Sequence, residues 1–272
     1  MRDVNMRLSH FAKLLNGNNA VKISDKLIIF NDFELYDMEA DSSKNYNSLD
    51  ELIADNEDVK KIIEDAKYFT MEYDGGRGSD SGNKEMGGGF NHARGRKGGK
   101  QETIQNAVLN YGTTNGNSIT SVLRRFRDKY GNADREYGAA VDELGYVYNI
   151  QKGGKTSVAI NGNKGQTIVH NHPGGGNFSD SDLLSTAMSK EKGIIATGSN
   201  VKNPKTYHFQ KNDGFRAKEF VKAVRNAKWP KKYSYDEGAD WWLRKHQRTY
   251  GYKYAVNRII GDGKRIAYKK SK

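Results

Sequence analysis

Apolar residues change their spacing along this chain, and each change marks an element. Val21, Ile23, Leu27, Ile28, Ile29 and Phe30, followed by Phe33, Leu35 and Tyr36, predict a short β-hairpin turned at Asn31-Asp32. The spacing then lengthens. Leu49, Leu52, Ile53, Val59, Ile62 and Ile63 form the stripe of one or two helices reaching residue 66. Ser48, with Glu51 three positions on, supplies a capping box for their start. Apolar positions thin out over 75–100, where Gly is mixed with Ser, Asn, Arg and Lys. Such a stretch buries too little surface to fold alone and predicts a flexible linker.

Helical spacing returns over 101–110 and 119–130, with Val122, Leu123 and Phe126 on the buried side of the second run. From residue 136 the period drops to two. Segments 136–142, 146–151 and 155–160 predict successive antiparallel strands, turned at Leu144-Gly145 and Gly153-Gly154. A further strand ends at 172, a helix follows over 180–191, and strands follow at 193–197 and 206–210. Ala217, Phe220, Val221 and Val224 mark one face of an amphipathic helix, and Trp241, Trp242, Leu243 and Tyr250 belong to a last one. This order predicts an α+β fold, a mixed β-sheet flanked by helices. It occupies 101–212, after a small α+β unit (1–74) and the linker (75–100) and before a helical C-terminal extension (213–272).

Charge changes the picture at both ends. Residues 1–75 hold 9 basic and 16 acidic groups, and the rest of the chain 36 and 17. The C-terminal stretch 200–272 is the most lopsided, with 20 basic against 6 acidic, which suits contact with nucleic acid or another polyanion. Cysteine is absent, so disulfides, thiolate zinc sites and cysteine nucleophiles are excluded. No apolar run approaches the roughly 20 residues that span a bilayer, and the N-terminal residues carry no signal-peptide core, so no membrane is expected.

The chemistry concentrates in 167–182. On a strand, His170 and His172 share a face while Asn171 points away. Pro173 stops the ladder, and Gly174, Gly175 and Gly176 allow a tight turn. Ser179, three residues before Asp182, reads as a helix start that puts Asp182 in the first turn, where the helix dipole favours its ionised form. Two imidazoles and one carboxylate suit a tetrahedral zinc ion with a fourth position open. Asp180 is the rival ligand, but it is turned about 200° around the helix from Asp182. A general base should stand on a neighbouring strand, and Glu136 fits. Gly138 and Ala140 share its face and leave room, whereas Glu143 sits by the next turn with the core-facing residues.

A glutamate on one strand, His170-Asn171-His172-Pro173 on another, then Ser179 and Asp182, together resemble the JAB/MPN (JAMM) metalloprotease-like family. The His-Asn-His-Pro form is especially similar to RadC-like bacterial proteins. The resemblance covers about residues 130–212. Six residues separate His172 from Ser179, one fewer than the usual family spacing. The resemblance implies zinc on His170, His172 and Asp182, proton transfer by Glu136, and oxyanion stabilisation by Ser179. It also implies a polypeptide or conjugated-protein substrate cut at a peptide or isopeptide bond. Linker and module also resemble modular proteins of prophages and mobile elements, which implies the cytoplasm of a bacterial host, or a virion. The alternative function is a non-catalytic, nucleic-acid- or virion-associated protein that works through its basic C-terminal region.

Overall fold

The structure is a computed structural model that describes residues 2–24, 26–65, 89–90, 102–103 and 119–261. The expected linker, apart from 89–90, and the helix expected over 101–110, apart from 102–103, lie outside the described residues. The chain divides into two compact units, Met1–Met71 with Ala187–Lys190 and Glu72–Thr186 with Glu191–Lys272. No helix among the described residues is long and apolar enough to cross a membrane.

The first unit begins with helix α1 (Arg2–Gly17) and a four-stranded antiparallel meander: β1 (Ala20–Lys22), β2 (Leu27–Phe30), β3 (Glu34–Asp37) and β4 (Ser42–Asn45). The apolar run 21–30 is thus two strands paired with each other, and the expected hairpin is β2–β3. Helices α2 (Leu49–Asp55) and α3 (Glu57–Asp65) follow. The Ser48 hydroxyl accepts the Glu51 N–H at 3.1 Å, while the Glu51 carboxylate reaches the N–H of Asn47 at 2.8 Å instead of that of Ser48. Phe11, Leu15, Val21, Ile29, Leu52, Val59 and Ile63 pack as the unit's core.

The second unit is built on a seven-stranded mixed sheet. Its elements are β5 (Glu102–Thr103), α4 (Ile119–Tyr130), β6 (Tyr137–Val141), β7 (Val147–Lys152), β8 (Thr167–Pro173), α5 (Asp180–Met188), β9 (Gly193–Ser199), β10 (Thr206–Lys211), α6 (Ala217–Arg225), α7 (Tyr235–Tyr250) and β11 (Tyr252–Val256). The strand order is β11-β10-β9-β8-β6-β7-β5. Only the β8–β9 pair is parallel among the described strands, with α5 as its crossover. Helix α4 lays Val122, Leu123, Phe126 and Tyr130 on Ala139, Val141, Ile150, Val169 and Ile195. The opposite face of β10 and β11 carries Phe209 and Tyr252 against Phe220 of α6, which meets Trp242 of α7.

Three expectations need correction. Glu102–Thr103 is a strand on the edge of β7, not a turn of helix. Segment 155–160 forms no strand, and the Val158 N–H in it faces the Glu136 carboxylate. The C-terminal region holds the two expected helices, α6 and α7, but it also adds a strand that the expectation lacked. After the left-handed Gly251 (φ 73°) closes α7, Tyr252–Val256 pairs with Tyr207–Lys211 of β10 and forms the sheet edge.

Candidate metal centre

Strand β8 brings both histidines out on one face, buried, at its C-terminal end. Their Nε2 atoms approach to 2.6 Å. The chain then folds back at once: Gly174 and Gly175 take positive φ (94° and 75°), and the Gly175 N–H bonds the His172 carbonyl at 2.9 Å. This turn places the Gly176 carbonyl 2.9 Å from His172 Nδ1. A carbonyl only accepts, so Nδ1 carries the hydrogen and Nε2 faces the cluster, as in a metal-binding imidazole.

Helix α5 supplies the carboxylate. Asp182 Oδ1 lies 3.5 Å from His170 Nε2, and Oδ2 lies 3.4 Å from His172 Nε2. Ser179 fixes this carboxylate from the helix start. Its N–H and its hydroxyl both donate to Asp182 Oδ2 (2.8 and 2.9 Å), while its oxygen accepts the Asp182 N–H at 3.2 Å. Oδ2 is therefore held by the helix cap, and Oδ1 is the oxygen more open to an ion. Asp180 is buried and turned to Arg225 at 3.5 Å, away from the triad. Glu143 is exposed and bonded to Lys192.

Glu136 stands just before β6, fully within the structure (3% exposed). Its backbone is pinned by hydrogen bonds to Gly153 and Gly154 (2.8 Å each), and its carboxylate accepts the Val158 N–H. Across the sheet Gly138 pairs with His170. A Cβ at Gly138 would stand 1.9 Å from Ile160 Cδ1 and 3.1 Å from the Val169 carbonyl, so a larger residue here would force the Ile160 side chain to move.

The charges of these groups are interdependent. Burial pushes the Glu136 carboxyl up to about 8, with the Asp182 charge adding to it and His172 opposing. Burial also pulls His170 down to about 4. For His172 burial favours the neutral ring, but the Asp182 carboxylate, the Glu136 charge and the Gly176 carbonyl outweigh it and raise the value to about 9. Burial works against Asp182 too, yet both histidines and the Ser179 N–H hold it at about 2. The Asp182 carboxylate thus favours a positive charge beside the two imidazoles.

The side chains of His170, His172 and Asp182 could hold a metal ion, with ligand atoms all within 4.8 Å of one another. Ligands at about 2.0–2.1 Å around a tetrahedral zinc stand about 3.3 Å apart. The His–Asp separations, 3.5 Å to Oδ1 and 3.4 Å to Oδ2, are close to that spacing but run to different oxygens, so the carboxylate would have to present one oxygen to both rings, and the two Nε2 atoms would part by about 0.7 Å. Nitrogen and oxygen donors, enclosed and biased toward a cation, fit the group.

Residues without an obvious sequence signal complete the support. Asn171, on the opposite face from the histidines, bonds Tyr137, Arg135 and Ser199. The Asn177 N–H donates to Asp236 at 2.8 Å and its side chain to Tyr254 at 2.9 Å, while the Tyr235 hydroxyl donates to the Phe178 carbonyl at 2.9 Å. The C-terminal region therefore buttresses the loop between His172 and Ser179. No family model, no curated protein and no solved structure matches the chain.

Proposed function

We propose that this protein is a zinc-dependent hydrolase of the JAB/MPN type that cleaves a peptide or isopeptide bond. The observation that carries the reading is a buried carboxylic acid, Glu136, which stands just before β6 and feels the charges of His172 and Asp182 in the convergent His170-His172-Asp182 triad. Zinc in the triad would lower the pKa of a water and polarise the scissile carbonyl. Glu136 takes a proton from the attacking water and delivers it to the leaving amine. A carboxyl raised toward neutrality by burial suits both halves of that transfer. The Val158 N–H fixes which way its carboxylate faces. Ser179 orients Asp182; the oxyanion role implied by the family resemblance would require its hydroxyl to leave Oδ2.

The deciding experiment combines metal analysis of the purified full chain with incubation against ubiquitin-like conjugates and unstructured peptides. One zinc per chain is expected, with cleavage that stops on chelation and returns with zinc. A chain that carries no stoichiometric metal, or cleavage indifferent to chelator, overturns the reading.

A further inference from the structure

The outward face of α7 and the turn before it carry a second chemistry, remote in kind from the metal centre. Trp242 points into the core, whereas its neighbour Trp241 is partly exposed. Trp241, Arg244, Lys245 and Arg248 recur at helical spacing and so share one face of α7. Tyr233 joins them, its ring centroid 6.1 Å from that of Trp241. Each ring has a lysine over it: Lys245 Nζ lies 4.7 Å from the Trp241 centroid, and Lys232 Nζ 5.3 Å from that of Tyr233.

The acids nearby are engaged by other groups. Asp236 accepts the Asn177 N–H, Glu237 closes the capping box with Ser234, and Asp240 accepts twice from Arg244 Nε at 2.9 and 3.0 Å. Five basic groups (Lys231, Lys232, Arg244, Lys245 and Arg248) thus outnumber the three acids (Asp236, Glu237 and Asp240) around two partly exposed rings.

From this juxtaposition we infer that the Tyr233–Trp241 face binds single-stranded nucleic acid, stacking unpaired bases on the two rings while the flanking lysines and Arg248 take the phosphates. Stacking a base on an aromatic ring is worth more than an exposed ammonium-ring contact, so a base displaces each lysine from its ring. The released ammonium then meets a phosphate. A duplex has no unpaired base to offer and keeps only the charge contribution. This inference stands independently of the proposed hydrolysis.

The test is fluorescence anisotropy of the full chain with a labelled oligothymidylate and with a duplex of equal length, over a salt series. Single-strand binding about tenfold tighter than duplex binding is expected, and a steep fall with salt. Trp241→Leu keeps the buried edge of the site filled and should cost about tenfold. Lys245→Glu should weaken binding and flatten the salt slope. Circular dichroism and urea denaturation check that both variants fold. No binding at low salt, equal affinity for duplex, or unchanged affinity in both variants overturns the inference. Displacement by a polysulfated saccharide with no loss in Trp241→Leu would show a general polyanion surface instead, and also overturns it.

Discussion

The backbone N–H of Tyr137 donates to the side-chain oxygen of Asn171 at 2.6 Å, where strands β6 and β8 cease to pair. The ladder ends at Gly138 opposite His170, and the Asn171 amide takes over the next rung. Its nitrogen donates to the Arg135 carbonyl at 2.9 Å and to the Ser199 hydroxyl at 2.7 Å. Both chain neighbours of Glu136 are thus tied to the residue between the two histidines.

Asn171→Ala removes the partner of the half-buried Tyr137 N–H and Arg135 carbonyl and one of two partners of the buried Ser199 hydroxyl, and a buried unsatisfied polar group costs about 1–3 kcal/mol. A loss of at least that size in urea denaturation is expected. Turnover at saturating zinc should fall about 100-fold, the penalty for roughly 1 Å of misplacement of a reacting group. Asn171→Asp keeps the acceptor for Tyr137 but not the donor to Arg135, and should fall between. Wild-type stability and turnover in Asn171→Ala would remove Asn171 from the account.

Ser179→Ala tests the other support. The hydroxyl caps α5 and steadies Asp182 Oδ2. Its loss should cost about 1 kcal/mol of stability as a cap and weaken zinc binding about 10–100-fold in chelator competition. At saturating zinc, kcat should drop much less than zinc affinity. A collapse of kcat with zinc affinity intact would assign the hydroxyl to the oxyanion.

The metal centre was legible because two periods fix it. Residues two apart on a strand share a face, and a Ser three before an Asp sets a helix start, so spacing alone aims His170, His172 and Asp182. Asn171 was legible only as a residue pointing away. Its partners lie 34, 36 and 28 positions off in sequence, and no local period encodes them. Segment 155–160 has the alternation of a strand yet forms none, and its Val158 N–H faces the Glu136 carboxylate. Strand β11 is five residues long and follows a helix cap, so its pairing with β10 came from packing, not pattern.

His208 gives a pH prediction away from the metal. It is buried on β10, and its Nδ1 accepts the Ile260 N–H at 3.0 Å, which leaves the hydrogen on Nε2. Burial, helped by the Lys192 charge, lowers its pKa from 6.5 to about 3. The folded chain therefore keeps this ring neutral where the unfolded chain protonates it. Stability from this group is complete above pH 6.5 and is lost as pH falls toward about 3. His208→Asn places an acceptor near Nδ1 and cannot titrate. Between pH 6 and 4 the wild type should lose about 1.4 kcal/mol per pH unit more than the variant in urea denaturation. Equal slopes would show that the ring is protonated in the fold.

Glu136→Gln separates metal binding from proton transfer. The amide oxygen can still accept the Val158 N–H, so the connection over the site keeps its place. None of the three ligand side chains is altered, and zinc stoichiometry should stay at the wild-type level. What disappears is a carboxyl able to take and return a proton, which is worth about 100- to 10,000-fold in rate. The wild-type rate should rise with pH as Glu136 ionises, because the base form starts the cycle. A cation in the triad draws that midpoint below the value of about 8 that burial alone sets. The residual rate of the variant should lack this limb. If Glu136→Gln loses its zinc, the carboxylate is a ligand, and if it turns over at the wild-type rate, the proton travels by another group.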